Sequence, residues 1–587
     1  MLKLLPVQLF YKENPMLKLE RYIRPYWGYI GLTVLIKLLG AVFELLIPWL
    51  MEIMLDHKVP AGDQKVIFLY GGLMLLCAAI CLGSNVLANR MSAKSSGKIT
   101  QSIRHDLFHK LQHLSARQLD ALTVPSAESR LTSDTYNVNQ LLARIQRLGI
   151  RAPILLVGGI AMTMSMDWAL ALILLAMLPV IAVVVYFVTK TSVPLYTKQQ
   201  TVLDGVVRTL QENITGIRVI KALSKTDYEK QRFHEVNTEL TKVDMKAGIV
   251  TAITNPVSSL TLNLGLTLVV VLGAYRVNSG EILSGVIVAF LQYFTMILNA
   301  MMGVTRIFVM WSKGEASAKR VAEVLAIPED LTVQPGKEKE ENAPHIEFRD
   351  VSFSYTGIGK NIDKLSFTLE HGQTLGILGP TGSGKSTIIN LLLRLYDPDS
   401  GAIYIDGQDI RTISEDRLRS KFAAVFQNDF LAEGTISDNI RFFRQIDASA
   451  LERAAQDAQA DFIGEKEGGM NAEVSVRGNN LSGGQKQRLL IARALAGNPE
   501  ILILDDASSA LDYRTDADLR RALRQNYRNT TTVLIAQRIS SLRHADLILV
   551  LSDGCVIGAG NHDHLMQTCD EYRIIAETQM GDAKEAV

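Results

Sequence analysis

Apolar positions in the first half of the chain run in charge-free stretches that approach or exceed the roughly 20 residues needed to cross about 30 Å of hydrocarbon. Residues 66–89, 168–189, 247–275 and 282–305 each exceed that length, the last continuing as helix to 311. Residues 152–166 are shorter and suffice if the helix starts at Gly149, leaving Arg151 in its first turn to snorkel to the headgroups. The sixth stretch, 28–55, carries Lys37 and Glu44. Seven residues apart, they share one face two turns apart, so that face should turn from lipid, with Lys37 snorkelling and Glu44 deep enough to line a cavity.

Between the second and third stretches, and again between the fourth and fifth, apolar and polar positions alternate with helical spacing, which predicts long helices continuing outside the membrane. Ten Lys or Arg lie in 90–151 and ten in 190–246, whereas the other connections hold only Lys58, Lys65 and Arg276. That asymmetry places the long loops in the cytoplasm, and an even number of spans puts both termini there as well. Residues 16–27 mix Leu17, Tyr22 and Trp27 with Lys18, Arg21 and Arg24, as an interfacial helix would. Residues 1–15 lack the apolar core and cleavage site of a removable signal peptide, and either Met1 or Met16 could be the native start.

After the last stretch, helical periodicity persists to 327, and 331–344 is charged, Pro-bearing and aperiodic, as a linker is. From His345 onward, strand-like runs (HIEFRDVSFSY, QTLGILG, AIYIDG, ILILDD, TTVLIA, LILVLSDG) alternate with helical patterns, predicting an α/β domain with a largely parallel sheet.

Composition adds little to this division. Hydrophobic residues make 48% and charged residues 21% of the 587, and mean hydropathy is +0.15, which suits a membrane protein with an attached soluble part. A net charge of +1 gives no reason to invoke nucleic acid. Cys77, Cys81, Cys555 and Cys569 have the spacing of neither a disulfide framework nor a zinc site.

The candidate chemistry lies in the second half. A strand at 375–379 runs into GPTGSGKST, residues 379–387, and then a helical pattern, the context a phosphate loop requires. Gly379, Gly382 and Gly384 would let backbone N–H groups close around phosphate oxygens, with Pro380, Thr381, Ser383 and Thr387 completing the loop. Lys385 would reach the terminal phosphates of ATP, and Ser386 would offer its hydroxyl to Mg2+. ILILDD then ends an apolar strand in Asp505, placed to hold Mg2+ through water, and Asp506.

The run Leu481, Ser482, Gly483, Gly484, Gln485, continuing to Arg488, resembles the signature of the ATP-binding cassette family. Under that resemblance Tyr355 is the aromatic that stacks on adenine, Gln427 is the glutamine that contacts Mg2+ and the transmembrane domain, and Ser509 to Asp512 is the D-loop. The chain as a whole resembles exporter half-transporters. This implies a multidomain protein: an N-terminal segment and interfacial helix (1–27), an all-α six-helix transmembrane domain (28–311), a helical extension and linker (312–344), and an α/β P-loop nucleotide-binding domain (345–587). Residues 116–122 and 223–228 would be the helices that couple to cassettes. In this family the signature faces ATP held by another cassette, so the resemblance implies a dimer with two ATP between subunits, set in the cell (plasma or inner) membrane and moving amphipathic compounds such as drugs, lipids or peptides.

The sequence departs from the family at the hydrolytic positions. Asp506 stands where Glu is usual, Gln537 replaces the switch histidine, Val476 replaces a common Glu, and Ala507 and Ser508 replace Pro and Thr. Losing a methylene withdraws a carboxylate by roughly 1.5 Å, and misplacement on that scale can cost about 10²-fold in rate. The pattern resembles the degenerate-site subunit of bacterial heterodimeric multidrug exporters, implying a different partner chain with Glu and His in those places. A homodimer with two slow sites, or an ATP-gated channel or regulatory subunit, stays open. Residues Asn255, Asn263, Gln292, Tyr293, Phe294, Met296, Asn299, Met301 and Met302 of the last two spans suit either an adaptable cavity or plain helix packing.

Overall fold

The computed structural model describes residues 19–335, 340, 342–427 and 430–585, so the N-terminal segment through Lys18 and linker residues 336–339 lie outside it. The chain divides into two compact units, 1–112 with 125–327, and 113–124 with 328–587.

The first unit is helical: α1 (Trp27–Ile53), α2 (Gln64–Gln112), then, beyond a segment of the second unit containing α3 (Ala116–Leu122), α4 (Thr135–Met166), α5 (Trp168–Thr215), α6 (Thr226–Ala252), α7 (Thr254–Asn278) and α8 (Ser284–Leu325). At 1.5 Å per residue the 49-residue α2 is about 74 Å long, more than twice the hydrocarbon thickness. Among the described residues five helical segments are long and apolar enough to cross a membrane, and α5 adds the apolar stretch Trp168–Val180. The core is built where α1, α4, α7 and α8 meet, on Leu45, Leu155, Val269, Phe290, Phe294 and Ile297. Small residues permit that approach: a Cβ on Gly265 would run into the Phe294 ring. The first amides of α8 are capped from a distance, Gly285 N–H and Val286 N–H donating to the buried Asp56 carboxylate at 2.6 and 3.1 Å.

Two expectations change here, and one of two alternatives holds for part of the last two spans. Lys37 does not snorkel: it is 4% exposed and donates to Asn85 Oδ1 at 2.6 Å and Asn89 Oδ1 at 3.3 Å. Arg151 does not reach for headgroups but forms a two-pronged ion pair with Glu44, at 2.5 and 3.1 Å. Tyr293 and Phe294 are wholly buried, and Met296 and Met301 pack on the same core, so within this chain these residues are helix packing. Asn263 is satisfied inside its own helix by the Ser259 carbonyl, and the side chain of Asn255 lies outside the described set.

The second unit holds two principal sheets. Strands β1 (Ile346–Phe353), β2 (Ile362–Leu369), β4 (Ser400–Ile405) and β5 (Gln408–Asp409) form an antiparallel sheet in the order β2-β1-β4-β5. The other sheet runs β12-β11-β3-β10-β9-β6, with β3 (Thr374–Leu378), β6 (Phe422–Val425), β9 (Ile501–Asp505), β10 (Thr531–Ile535) and β11 (Leu547–Ser552) parallel, and β12 (Cys555–Gly560) antiparallel at its edge. A two-residue pair, β7 (Gly434–Thr435) and β8 (Glu473–Val474), lies in the helical part beside it. The parallel strands are nearly continuous apolar runs because both faces are covered. Their carboxyl ends carry the loops after β3, β9 and β10 to one edge, where an open α/β sheet binds ligands.

Candidate nucleotide site

The loop after β3 closes on α9 (Lys385–Leu392) through glycines whose backbone no L side chain adopts easily: Gly382 has φ +86° and Gly384 φ +99°. A Cβ on Gly384 would come within 2.6 Å of the Asn361 carbonyl, so space as well as torsion demands glycine there. Lys385 Nζ donates to the Gly379 and Pro380 carbonyls at 2.8 and 2.7 Å, folding its ammonium over the loop it would share with a phosphate. Burial pulls its pKa down, with Asp505 and Asp506 acting the other way.

Ser386, one residue into α9, donates to Asp505 Oδ2 at 3.1 Å, joining loop and strand end. Asp505 is 6% exposed, and burial pushes its carboxyl pKa up; the Ser386 hydrogen bond lowers it and Asp506 raises it further. A buried carboxylate beside a hydroxyl is an all-oxygen donor set that suits Mg2+, with the Lys385 ammonium close enough to act on the same carboxylate. Ser383 Oγ, at the floor of the loop, is buried without a hydrogen-bond partner. A cavity of about 440 Å³ opens against Gly379, Thr381, Lys385 and Gln537 and extends to Glu571 of the C-terminal helix. These features fit a nucleotide phosphate chain with its cation.

The two departures from the family touch each other. Asp506 has left-handed backbone at φ +51°, its N–H donating to the Ile535 carbonyl at 3.1 Å, and Gln537 Nε2 donates to Asp506 Oδ2 at 3.3 Å. Gln537 is held in turn from the C-terminal helix, where Gln579 donates to its carbonyl at 2.9 Å and accepts from Ile539 N–H at 2.7 Å. Sequence reasoning missed Gln579 and Glu571, which no motif marks. Tyr355 stands 37% exposed, its hydroxyl 3.4 Å from Thr387 Oγ1 and accepting from Asn390 at 3.1 Å. Gln427 is exposed.

The signature lies apart from this edge, at the start of α10 (Gly483–Leu495). Ser482 caps the helix, accepting from Gln485 N–H at 3.3 Å while its own N–H donates to Gln485 Oε1 at 3.0 Å. This capping box leaves Ser482 and Gly483 exposed, with Leu481 buried beneath them. Gln487 ties the helix to the D-loop through Ser509 Oγ at 3.0 Å and Ala510 N–H at 2.9 Å. Asp512 caps α11 (Tyr513–Asn526), accepting from Thr515 N–H at 2.9 Å and its hydroxyl at 2.8 Å, bonds that hold its pKa down. Val476 is 57% exposed.

The helix expected at 116–122 is present as α3 and belongs to the second unit, where Asp120 accepts from the Tyr396 hydroxyl at 2.5 Å and Arg117 lies 3.5 Å from Asp399. The Tyr396 and Tyr355 rings meet edge to face at 5.1 Å, so contacts run from α3 to the candidate adenine stack. The second expected coupling helix is displaced: the helical turn spans Ile217–Ala222, and 223–225 is a turn before α6 begins at Thr226.

Residues 30–301 match the family described as ABC transporter transmembrane region, and 362–509 match ABC transporter. An uncharacterized ABC transporter ATP-binding protein of Mycobacterium tuberculosis is 32% identical over 568 residues, 96% of this chain and 97% of its own. A fatty acid ABC transporter ATP-binding/permease protein of Mycobacterium bovis is 34% identical over 469 residues, 79% of this chain and 74% of its own. The solved structure of a bacterial Atm1-family ABC exporter with ATP bound superposes with a TM-score of 0.80 at 25% identity, covering 94% of this chain and 98% of that one. With a membrane-spanning helical domain followed by an α/β ATPase domain of this kind, the chain belongs to the ATP-binding cassette transporter family, as an exporter half-transporter of a type that works as a dimer in a membrane.

Proposed function

We propose that this chain is the subunit of a heterodimeric exporter whose own phosphate loop holds ATP with Mg2+ but hydrolyses it slowly. The observation that carries the reading is the Gln537 to Asp506 hydrogen bond. A glutamine amide donates only neutral hydrogen bonds and never carries imidazolium charge, and the carboxylate it engages is one methylene shorter than the glutamate usual there. Lys385 would bind the terminal phosphates, Ser386 and Asp505 with Gln427 the cation, and Tyr355 the adenine. The signature, Leu481 to Gln485, and Asp512 would complete a second site on the partner, whose residues supply the efficient base. Binding of two ATP would close the cassettes, and hydrolysis at the partner's loop would reset them.

The domain boundaries read from the sequence, cytoplasmic termini and cassette, and a cell-membrane location belong to this reading. Its cargo is an amphipathic compound, a class to which the fatty acid named for the Mycobacterium bovis relative belongs. Multidrug transport rests on the family resemblance. The test is Asp506→Ala in the assembly as extracted from its own membranes. Turnover should change less than about twofold, since the site contributes little; abolished turnover overturns the slow-site reading.

A further inference from the structure

The membrane unit contains a polar cavity that the nucleotide chemistry does not use. It measures about 530 Å³ and is lined by Lys37 of α1, Asn85 and Asn89 of α2, and Arg144, Arg147 and Arg151 of α4. Lys37 lies nine residues beyond Gly28, about 14 Å along the helix from where the apolar stretch begins. Charges at such depth are expensive, and they mark substrate pathways more often than scaffolding.

Four cations meet there, and among the described residues Glu44 is the one carboxylate paired with any of them, committed to Arg151. Lys37 is held by two amide oxygens, which take two of its three N–H donors and do not cancel its charge. Arg147 reaches only the Asn89 carbonyl, at 3.4 Å, and its Nε is buried with no hydrogen-bond partner. Arg144 is exposed at the rim. Among the described residues, Lys37, Arg144 and Arg147 have no carboxylate at ion-pair distance. Two guanidinium forks and an ammonium converging on one space form a receptor for an oxyanion, since guanidinium matches carboxylate or phosphate with paired hydrogen bonds. A neutral or cationic group would leave the buried part of this charge, on Lys37 and Arg147, uncompensated.

We propose that this cavity binds the anionic group, carboxylate or phosphate, of an amphiphile carried by the exporter. This rests on the exporter reading above and narrows its cargo to anions.

The assembled transporter, with its partner, is placed in phosphatidylcholine nanodiscs without nucleotide, and binding of radiolabelled dodecanoate is measured against dodecan-1-ol. Dodecanoate should bind at least about tenfold more tightly, and Arg147→Gln and Arg144→Gln, which leave the Arg151 to Glu44 pair intact, should each weaken it roughly tenfold while leaving dodecanol unchanged. Equal binding of acid and alcohol, or wild-type dodecanoate affinity in both variants, overturns the proposal. Repeating the measurement with phosphatidylglycerol in the bilayer separates the two sources of anion. Competition identifies an anionic lipid headgroup as the occupant, and undiminished dodecanoate binding identifies a free amphiphilic acid, both within the proposal. Because binding is read without ATP, its failure is distinguishable from failure of the slow-site reading, which Asp506→Ala scores.

Discussion

The nucleotide edge has two halves built by different means. On the loop side, glycine backbone and the start of α9 would form the phosphate cradle of the proposed reading, and Lys385 and Ser386 follow the family pattern. On the strand-end side, Asp506 and Gln537 act through side chains alone and both depart from that pattern. Binding that depends on main-chain amides tolerates drift in side chains, whereas hydrolysis depends on a carboxylate placed to within about 1 Å. The two capacities can therefore separate in one site.

The largest expected effect comes from breaking that contrast. Asp506→Glu combined with Gln537→His should raise ATP turnover at this chain's own loop by on the order of 10²-fold, read as phosphate release with the partner's loop lysine removed. No gain would overturn the reading that Asp506 and Gln537 slow this site. Next, Lys385→Ala should weaken ATP binding by roughly tenfold or more, the loss of charge-assisted contacts to phosphate, measured by nucleotide filter binding. If affinity holds, the backbone alone suffices.

Tyr396→Phe should cost about 1 kcal/mol of the hydrogen bond to Asp120 and lower transport per ATP several-fold with ATP affinity little changed. Equal losses in binding and transport would place Tyr396 in the nucleotide site instead. The smallest effect concerns stability. His345 is fully buried with a pKa pushed down to about 4, by burial first and by His371 next, so it stays neutral when folded. In the unfolded chain it titrates near its usual value of about 6.5. Its contribution is thus fully present above about pH 6.5 and declines as pH falls towards 4. The melting temperature of the cassette should drop over that window, and His345→Gln should flatten the slope.

Much of this was legible in the chain before any coordinates. The phosphate loop declares itself by glycine spacing between a strand and a helix, and α3 has the span expected for it. Hydrophobic run length set the membrane helices. The helix expected at 223–228 is instead a helical turn at Ile217–Ala222, because short helical turns carry too little periodicity to locate their ends.

What only the tertiary structure decided involves partners far apart in sequence. Lys37 and Arg151 each looked like cations seeking headgroups, and both turned inward because Asn85, Asn89 and Glu44, on neighbouring helices, offered oxygen at lower cost than a path to water. Arg147 became an uncompensated charge for the same reason, since no local pattern reveals which helix will face it. The contact between Asp506 and Gln537 likewise joins two substitutions 31 positions apart. Local sequence determined the elements and the phosphate cradle, because both arise from interactions within a few residues. Packing alone determined which charges are answered and which are left for a ligand, because electrostatic compensation depends on distance in space.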